Sequence, residues 1–204
     1  AMISEKRGQH EDAVNRFKVV LEQQRSLLGD EHRDTIQTKL ALAELVMSEE
    51  LALQAVANAN GSLGSHHELS LQAMMDLAAI IAEKGRLADA RQIYERMRFL
   101  AEEAYGSEHE VSLQSFDRLV AFEAKYGDAM KAAHLYRDLL DRRRQLHGRS
   151  DERTMAVMFD YVKLLRESGR YAEALEMGES LCQEREKLDD RPAIRLIEVY
   201  REMA

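Results

Sequence analysis

The sequence predicts an all-α fold in which helical hairpins stack into a right-handed α-α superhelix. Three observations predict it: a helix-rich composition, a glycine that recurs at a nearly fixed period, and further landmarks inside each period. Of the 204 residues, 45% are hydrophobic and 32% are charged, and there are only ten glycines and one proline. Alanine, leucine, glutamate, arginine and methionine are plentiful and all favour helix, whereas a sheet protein with many turns needs more glycine and proline.

The strongest signal is a repeat that begins at a glycine. Successive copies of this glycine are 35, 42 and 42 residues apart. A period of this size is typical of a stacked array, here of about four to five hairpins, in which each hairpin buries its apolar face against its neighbours. Arrays of this kind usually bind other proteins. The four segments are Gly29-Asp30-Glu31-His32, Gly64-Ser65-His66-His67, Gly106-Ser107-Glu108-His109 and Gly148-Arg149-Ser150-Asp151.

A second glycine marks the turn between the two helices of each period, which we call helix A and helix B. Glycine suits the end of helix A because that position often takes a left-handed conformation. An alanine five residues later lets two helix backbones approach closely, and an aromatic residue one turn beyond fills the space between hairpins. The sets are Gly8, Ala13 and Phe17; Gly85, Ala90 and Tyr94; Gly127, Ala132 and Tyr136; and Gly169, Ala174 and Gly178, with Glu50, Ala55 and Ala59 in the shortened second period.

These landmarks predict a single array over residues 1–204. Its units are 1–28 (partial), 29–63 (shortened), 64–105, 106–147, 148–187 and 188–204 (partial). The predicted helices are 9–27, 33–47, 51–60, 67–84, 87–104, 109–126, 129–146, 151–168, 171–187 and 191–203. Capping-box matches that begin at Ser65 and Ser107 support helix starts nearby.

The landmark series resembles the tetratricopeptide repeat (TPR). In order along the chain, the TPR signature has a leucine, then a glycine or an alanine, then a glycine, an alanine and an aromatic residue. The series Leu77, Ala78, Gly85, Ala90 and Tyr94 carries this signature most completely. The usual repeat has about 34 residues. The period of 42 in this chain resembles the long-helix subclass found in kinesin light chains and in the sensor arrays of some signalling ATPases. The resemblance implies TPR-like hairpins and a protein-interaction scaffold.

The resemblance also implies a peptide-binding groove, lined by helix-A residues at four fixed positions before the turn. Glutamine amides both donate and accept hydrogen bonds, methionine adapts to varied shapes, and basic side chains suit a carboxylate. The implied groove residues are Gln37, Leu40, Gln72, Met75, Asp76, Gln114, Asp117, Arg118, Phe159, Asp160 and Lys163. The family's clamp for chaperone tails uses lysine and asparagine where this chain has Leu40, Glu44, Asp76 and Gln114, so tight binding of such tails is not expected.

Two departures from regularity bear on function. The link after Ala59 is seven residues shorter than the link after Tyr94, which predicts the loss of about two turns of helix B and an early stop within 58–62. This is a tolerated deletion, a local change in the curvature of the superhelix, or an exposed notch that a partner fills. In addition, the chain begins within a unit and ends in a helix A that Pro192 opens. The alternatives to a stand-alone scaffold are therefore a sensor or regulatory segment of a larger signalling ATPase or transcription regulator, acting in cis, and an array that self-associates into a homo-oligomer through its ends.

Composition excludes several function classes. The net charge of −8 argues against nucleic-acid binding, which needs a basic face. The run Arg142-Arg143-Arg144 lies among acidic residues, and we interpret it as a solvated helix face. No apolar run approaches the roughly 20 residues that cross a bilayer, and the lone Cys182 fits the reducing cytoplasm. We therefore expect a cytoplasmic protein whose partner is a protein or peptide, not nucleic acid or membrane.

The recurrent histidines His32, His67 and His109 suggest a metal site at first. Zinc needs ligands within about 2.1 Å, whereas neighbouring helices lie roughly 10 Å apart, so a structural capping role is the better interpretation. No carboxylate pair, phosphate loop or nucleophile-and-base spacing stands out among 37 acidic residues. We therefore predict a non-enzymatic protein with no catalytic residue, metal site or cofactor.

Overall fold

The computed structural model describes residues 2–187, with side chains from residue 10 onward. This part of the chain forms nine α-helices. They are α1 (Met2–Leu28), α2 (Arg33–Leu45), α3 (Glu49–Leu63), α4 (Glu68–Glu83), α5 (Leu87–Tyr105), α6 (Glu110–Tyr126), α7 (Ala129–His147), α8 (Glu152–Glu167) and α9 (Tyr171–Glu186). The predicted helix 191–203 and the predicted unit 188–204 lie outside the described residues.

The helices are divided between an N-terminal part, residues up to 104, and a C-terminal part, residues from 105. In the N-terminal part α1 packs on α2, α2 on α3 and α3 on α4, and α2 also contacts α4. In the C-terminal part α6 packs on α7, α7 on α8 and α8 on α9. The single continuous array over residues 1–204 stays a prediction.

The predicted alanine and aromatic landmarks of the third and fourth units are core residues, whereas Ala13 and Phe17 of the first unit are half-buried. Ala90 and Ala132 are fully buried, and Tyr94 and Tyr136 are nearly so. The core of the C-terminal part contains large side chains such as Phe116. That of the N-terminal part contains several alanines. Since the apolar residues recur at helical spacing, each helix buries one stripe and exposes the other.

The link between hairpins is a local structure that repeats along the chain. Its glycines Gly29, Gly64, Gly106 and Gly148 all have φ between 85° and 87°, a left-handed conformation that glycine adopts at little cost. The histidine three residues later then caps helix A, since Nδ1 accepts a hydrogen bond from the backbone N–H two residues on. This N···N distance is 3.2 Å at His32, 3.1 Å at His67 and 3.2 Å at His109. The structural role predicted for the histidines is confirmed, and the cap is the histidine rather than the serine two residues earlier.

Two of the turn glycines end helix A in the predicted way. Gly85 has φ of 82° and Gly169 of 75°. At the first of these turns the Gly85 N–H donates to the Ala82 carbonyl at 2.9 Å and the Arg86 N–H to that of Ile81 at 3.2 Å. This pair of bonds is the Schellman motif.

The other two turn glycines differ from the prediction. Gly8 lies inside α1 and ends no helix. Gly127 follows the last residue of α6, as predicted, but its φ is −102°, which any residue adopts. Glycine is needed there because an added Cβ would lie 2.8 Å from the carbonyl oxygen of Glu123.

Met47 occupies the turn of the shortened unit. Its φ is 51°, and its N–H donates to the Glu44 carbonyl at 3.2 Å. The Ser48 N–H donates to the Ala43 carbonyl at 2.8 Å. Because these bonds repeat the pattern at Gly85, Met47 is the structural equivalent of that glycine.

The register predicted for the shortened unit is therefore wrong by three residues. Met47, not Glu50, holds the turn, and Ala52, not Ala55, follows it by five residues. Helix α2 has 13 residues where α4 has 16, and α3 has 15 where α5 has 19. The deletion is thus shared between helices A and B. The predicted early stop is also wrong, since α3 continues to Leu63.

We expect opposite effects from exchanging residues at these two turns. Gly85→Ala should lower the free energy of unfolding by about 1 kcal/mol, because a Cβ there meets no atom within 4 Å and only the left-handed backbone is penalised. Met47→Gly should raise it by up to about 1 kcal/mol, since relief of the same penalty exceeds the entropy cost of glycine. Urea unfolding of both variants measures this, and effects of the same sign would contradict the assignment of Met47 to the turn.

Candidate functional site

The first row of predicted groove residues occupies equivalent places on three A helices. Gln37, Gln72 and Gln114 each lie eight residues after a link glycine, and all three are exposed. Helices α2, α4 and α6 each begin four residues after their link glycine. The C-terminal shortening of α2 therefore leaves Gln37 at the position that Gln72 and Gln114 occupy. The row of glutamines is therefore a repeated surface feature.

In the N-terminal part the predicted residues divide into surface and core. Leu40 is only 5% exposed and belongs to the apolar cluster between α2, α3 and α4. Its assignment to the groove is corrected, because this side chain is used in packing. Met75 is half-buried. The Gln72 Nε2 donates to the Asp76 Oδ1 at 3.0 Å, so these two side chains form one polar group on α4.

On α6 the predicted residues are partly engaged by other groups. The Gln114 Nε2 donates to the Glu110 Oε1 at 3.1 Å. Asp117 forms an ion pair with Arg143 of α7. Burial raises the pKa of Asp117, while the charges of Arg143 and Arg118 act against that shift. Arg118 itself is exposed.

Helix α8 supplies the last three predicted residues. Phe159 is half-buried against the core of the C-terminal part, whereas Asp160 and Lys163 are exposed. Desolvation raises the pKa of Asp160, and Lys163 partly offsets the rise. Burial, together with Asp160 and Asp117, also raises the pKa of Tyr136. The carboxylates of α6 and α8 thus act on the same tyrosine.

The basic run at 142–144 is not a solvated face, which corrects the interpretation from sequence. Arg143 is 2% exposed, and its guanidinium meets Asp117 and lies 3.8 Å from Glu110. Glu110 Oε2 also lies 2.6 Å from the His147 Nε2 and 3.1 Å from the Arg153 Nη1. This network of charges joins α6, α7 and α8.

The network should make stability depend on pH. Burial would raise the pKa of Glu110, but the hydrogen bonds from His147 and Gln114 and the charges of Arg143 and Arg153 hold it below its usual value. The ionised form is therefore favoured by folding, so its contribution is present above the unfolded-state pKa and is lost as the pH falls through the lower folded-state pKa.

We expect Glu110→Gln to lower the free energy of unfolding by about 1–2 kcal/mol at pH 7. The difference from wild type should shrink as the pH falls below about 4, where both chains carry a neutral group at this position. Urea unfolding at several pH values measures it. A difference that stays constant from pH 7 to pH 3 would contradict the assignment.

Metal binding and thiol chemistry are not favoured among the described residues. Within this region no group of three or more His, Cys, Asp or Glu side chains is placed to hold a metal ion. Cys182 is buried, and desolvation raises the pKa of its thiol, which reduces the reactive thiolate.

Sequence analysis missed a second set of charged residues on the C-terminal part. Arg137, Arg144 and Arg149 line a cavity between α7, α8 and α9. The positions 42 residues earlier hold Glu95, Glu102 and Ser107. Acidic residues at two of these repeat positions are replaced by arginine, and a serine is replaced at the third. This difference could have identified the arginine set from the sequence.

Comparison with known proteins agrees with this architecture. Residues 70–110 match the family model of the tetratricopeptide repeat, and a search of curated proteins found no match. The chain is similar to the nearly identical TPR-like repeats of a Podosopora anserina protein described as a kinesin light chain, with 21% identity, a TM-score of 0.73, and 91% of this chain and 92% of that chain covered. It is also similar to BtubC (BKLC) from P. vanneervenii, with 18% identity, a TM-score of 0.74, and 95% and 81% covered.

The family match and the structural likenesses confirm the fold class predicted from the sequence, an all-α superhelix of helical repeats. The helix pairs, link glycines and buried alanines account for it physically. The chain therefore contains a tetratricopeptide-repeat match at residues 70–110 and has the fold of the TPR-like arrays to which it is similar.

Proposed function

We propose that the protein is a non-catalytic scaffold that binds a peptide or a helix of another protein along its helix-A rows. The repeat fold itself is that of protein-interaction scaffolds. The observation that carries the finer proposal is an exposed glutamine at the same position of three A helices, Gln37 and Gln72 in the N-terminal part and Gln114 in the C-terminal part. Each amide offers a donor and an acceptor, as the backbone of a bound segment requires.

The neighbouring positions favour a segment of mixed character. In the N-terminal part Met75 offers a half-buried, adaptable apolar contact. In the C-terminal part Phe159 offers another, and the exposed Arg118 and Lys163 suit acidic side chains of a partner. Asp117 is a weaker candidate for contact, because its carboxylate is already paired with Arg143.

Affinity measurements on variants test this proposal. A partner captured from the native source would be reduced to its binding segment, and the affinity of that synthetic segment would be measured for wild type and for Gln72→Ala/Arg118→Glu. We expect at least about tenfold weaker binding, because a favourable charge becomes repulsive and an amide contact is lost.

Lys18→Glu is the matched control, since this exposed lysine lies on α1 outside the helix-A rows. It should bind like wild type. Equal affinity of the double variant and wild type would contradict the groove assignment while leaving the scaffold role intact.

The proposal involves no catalytic step, metal or cofactor. A cytoplasmic location, and a partner that is neither nucleic acid nor membrane, remain predictions from composition. None of the helices described between residues 2 and 187 is both long and apolar enough to cross a membrane.

A further inference from the structure

A cavity of about 340 Å³ lies between α7, α8 and α9 in the C-terminal part. Arg137, Arg144 and Arg149 line it together with the side chains of Tyr161 and Ser180. Its volume is near the lower end of small-molecule sites. The helix-A rows of the proposed groove do not supply these arginines, so the cavity is a separate surface.

One of the three arginines is already hydrogen-bonded to two side chains of the protein. The Arg137 Nη2 donates to the Glu173 Oε2 at 2.8 Å, and its Nε donates to the Tyr161 hydroxyl at 3.0 Å. Glu173 also accepts from the Arg170 Nη2 at 2.6 Å. Because the Tyr161 hydroxyl serves Arg137 as acceptor, its own proton is left to donate to a ligand.

The other two arginines have donors to spare. The Nε of Arg144 is buried without a hydrogen-bond partner, and its Nη1 lies 3.7 Å from the Asp141 Oδ1, beyond normal hydrogen-bond length. Arg149 is exposed and makes no hydrogen bond or close ion pair with any other described residue. A buried donor without a partner is costly and rare, so an anion that supplies acceptors would stabilise this arrangement.

The donors around the cavity favour a ligand with several acceptor oxygens. Arg137 and the adjacent Arg170 are paired with Glu173, Asp141 lies 3.7 Å from Arg144, and Glu184 acts on Arg149 from outside the lining. The buried Nε of Arg144 nevertheless has no acceptor. A phosphate monoester presents three acceptor oxygens and carries close to two negative charges at neutral pH. A carboxylate has only two oxygens, so it meets fewer of these donors.

The repeat supplies an internal comparison. At the positions 42 residues before the three lining arginines the chain has Glu95, Glu102 and Ser107. The helical-hairpin scaffold therefore does not require basic residues at these positions. Arg137 is used in packing α7 against α8 and α9, whereas the spare donors of Arg144 and Arg149 have no such use.

We propose that this cavity binds a phosphate monoester, held mainly by Arg144 and Arg149 with Tyr161 and Ser180 as hydroxyl donors. The phosphate belongs either to a free small molecule or to a phosphorylated side chain of a partner protein. The two sources share one chemistry and are distinguished by separate ligands in the test.

Titration of the intact chain with O-phosphoserine, phenyl phosphate and a short phosphoserine peptide tests the proposal. The methyl carbon signal of Met177, which lines the cavity, is the reporter, and Met177→Leu assigns it. We expect a saturable shift with at least one of the three phosphate esters, and more than about tenfold weaker binding in Arg144→Gln/Arg149→Gln, since charged hydrogen bonds are lost. Tighter binding of the peptide than of the small esters indicates a protein source, and the reverse indicates a free ligand.

Arg16→Gln, an exposed arginine of α1, is the matched control and should bind like wild type. Arg149→Gln alone keeps the test valid if the double variant fails to fold, because this residue is exposed. The proposal is overturned if no phosphate ester gives a saturable shift, if the arginine variants bind as wild type does, or if acetate binds as tightly as the esters.

Discussion

Replacing Asp117 with alanine should lower the free energy of unfolding by about 3 kcal/mol. The change leaves the guanidinium of Arg143 between α6 and α7, 2% exposed, without its main carboxylate. Removing one partner of a buried ion pair costs more than the pair contributes, because the remaining charge stays desolvated. Glu110, 3.8 Å from that guanidinium, compensates in part, so we expect the lower end of the usual range. Chemical denaturation of the purified chain measures the change.

The matched control removes both charges. Asp117→Ala/Arg143→Met replaces the pair by apolar groups and should cost less than Asp117→Ala alone. Arg118→Ala, on the neighbouring exposed side chain, should change stability by less than about 0.5 kcal/mol. If Asp117→Ala is as mild as Arg118→Ala, the ion pair does not hold α6 to α7.

The second large effect is expected at Tyr161, which is 1% exposed. Its ring lies against that of Tyr136, with centroids 5.4 Å apart and planes 20° from parallel. Tyr161→Ala should lower the free energy of unfolding by about 3–5 kcal/mol, because it removes an aromatic contact between α7 and α8 and leaves a cavity. Thermal and urea unfolding measure the loss.

Tyr161→Phe separates the ring from the hydroxyl. The hydroxyl accepts a hydrogen bond from Arg137, whose side chain is 49% exposed and can bond to water instead. This variant should therefore lose no more than about 1 kcal/mol. A loss as large as that of the alanine variant would show that the hydroxyl, not ring packing, stabilises the contact between α7 and α8.

The parts of the structure that sequence predicts well are those set by local chemistry. Gly85 and Gly169 are left-handed at the end of helix A, and the histidines of the first three link segments cap a helix through Nδ1. Each of these features depends only on residues a few positions apart, so the repeated segment contains all the information. The buried alanines and tyrosines follow from helical periodicity in the same way.

The shortened unit shows where periodicity misleads. Placing the whole seven-residue deletion in helix B put Glu50 at the turn, whereas both helices are shortened and Met47 holds it. The left-handed conformation of Met47 could not be predicted from the sequence, because methionine shows no preference for that conformation. A hydrogen-bond pattern was needed to locate the turn.

For the candidate residues, exposure of the glutamines could be predicted from the sequence, but burial and pairing of the others could not. The glutamine row is exposed as expected, but Leu40 is in the core and Asp117 is paired with Arg143, 26 residues away. Burial of a side chain within the Arg142–Arg144 run depends on how α7 packs on α6 and α8. A contact between distant segments leaves no mark in local composition, which is why the run was interpreted as a solvated face.

Photocrosslinking tests the central claim, that a partner binds along the helix-A rows, most directly. Benzoylphenylalanine would replace Gln114 on α6 or, as the comparison, His134 on α7; both positions are exposed. Irradiation in the presence of the captured partner should give a crosslinked product from position 114 and none from position 134. A crosslink from position 134 with none from position 114 would place the partner on helix B and contradict the account.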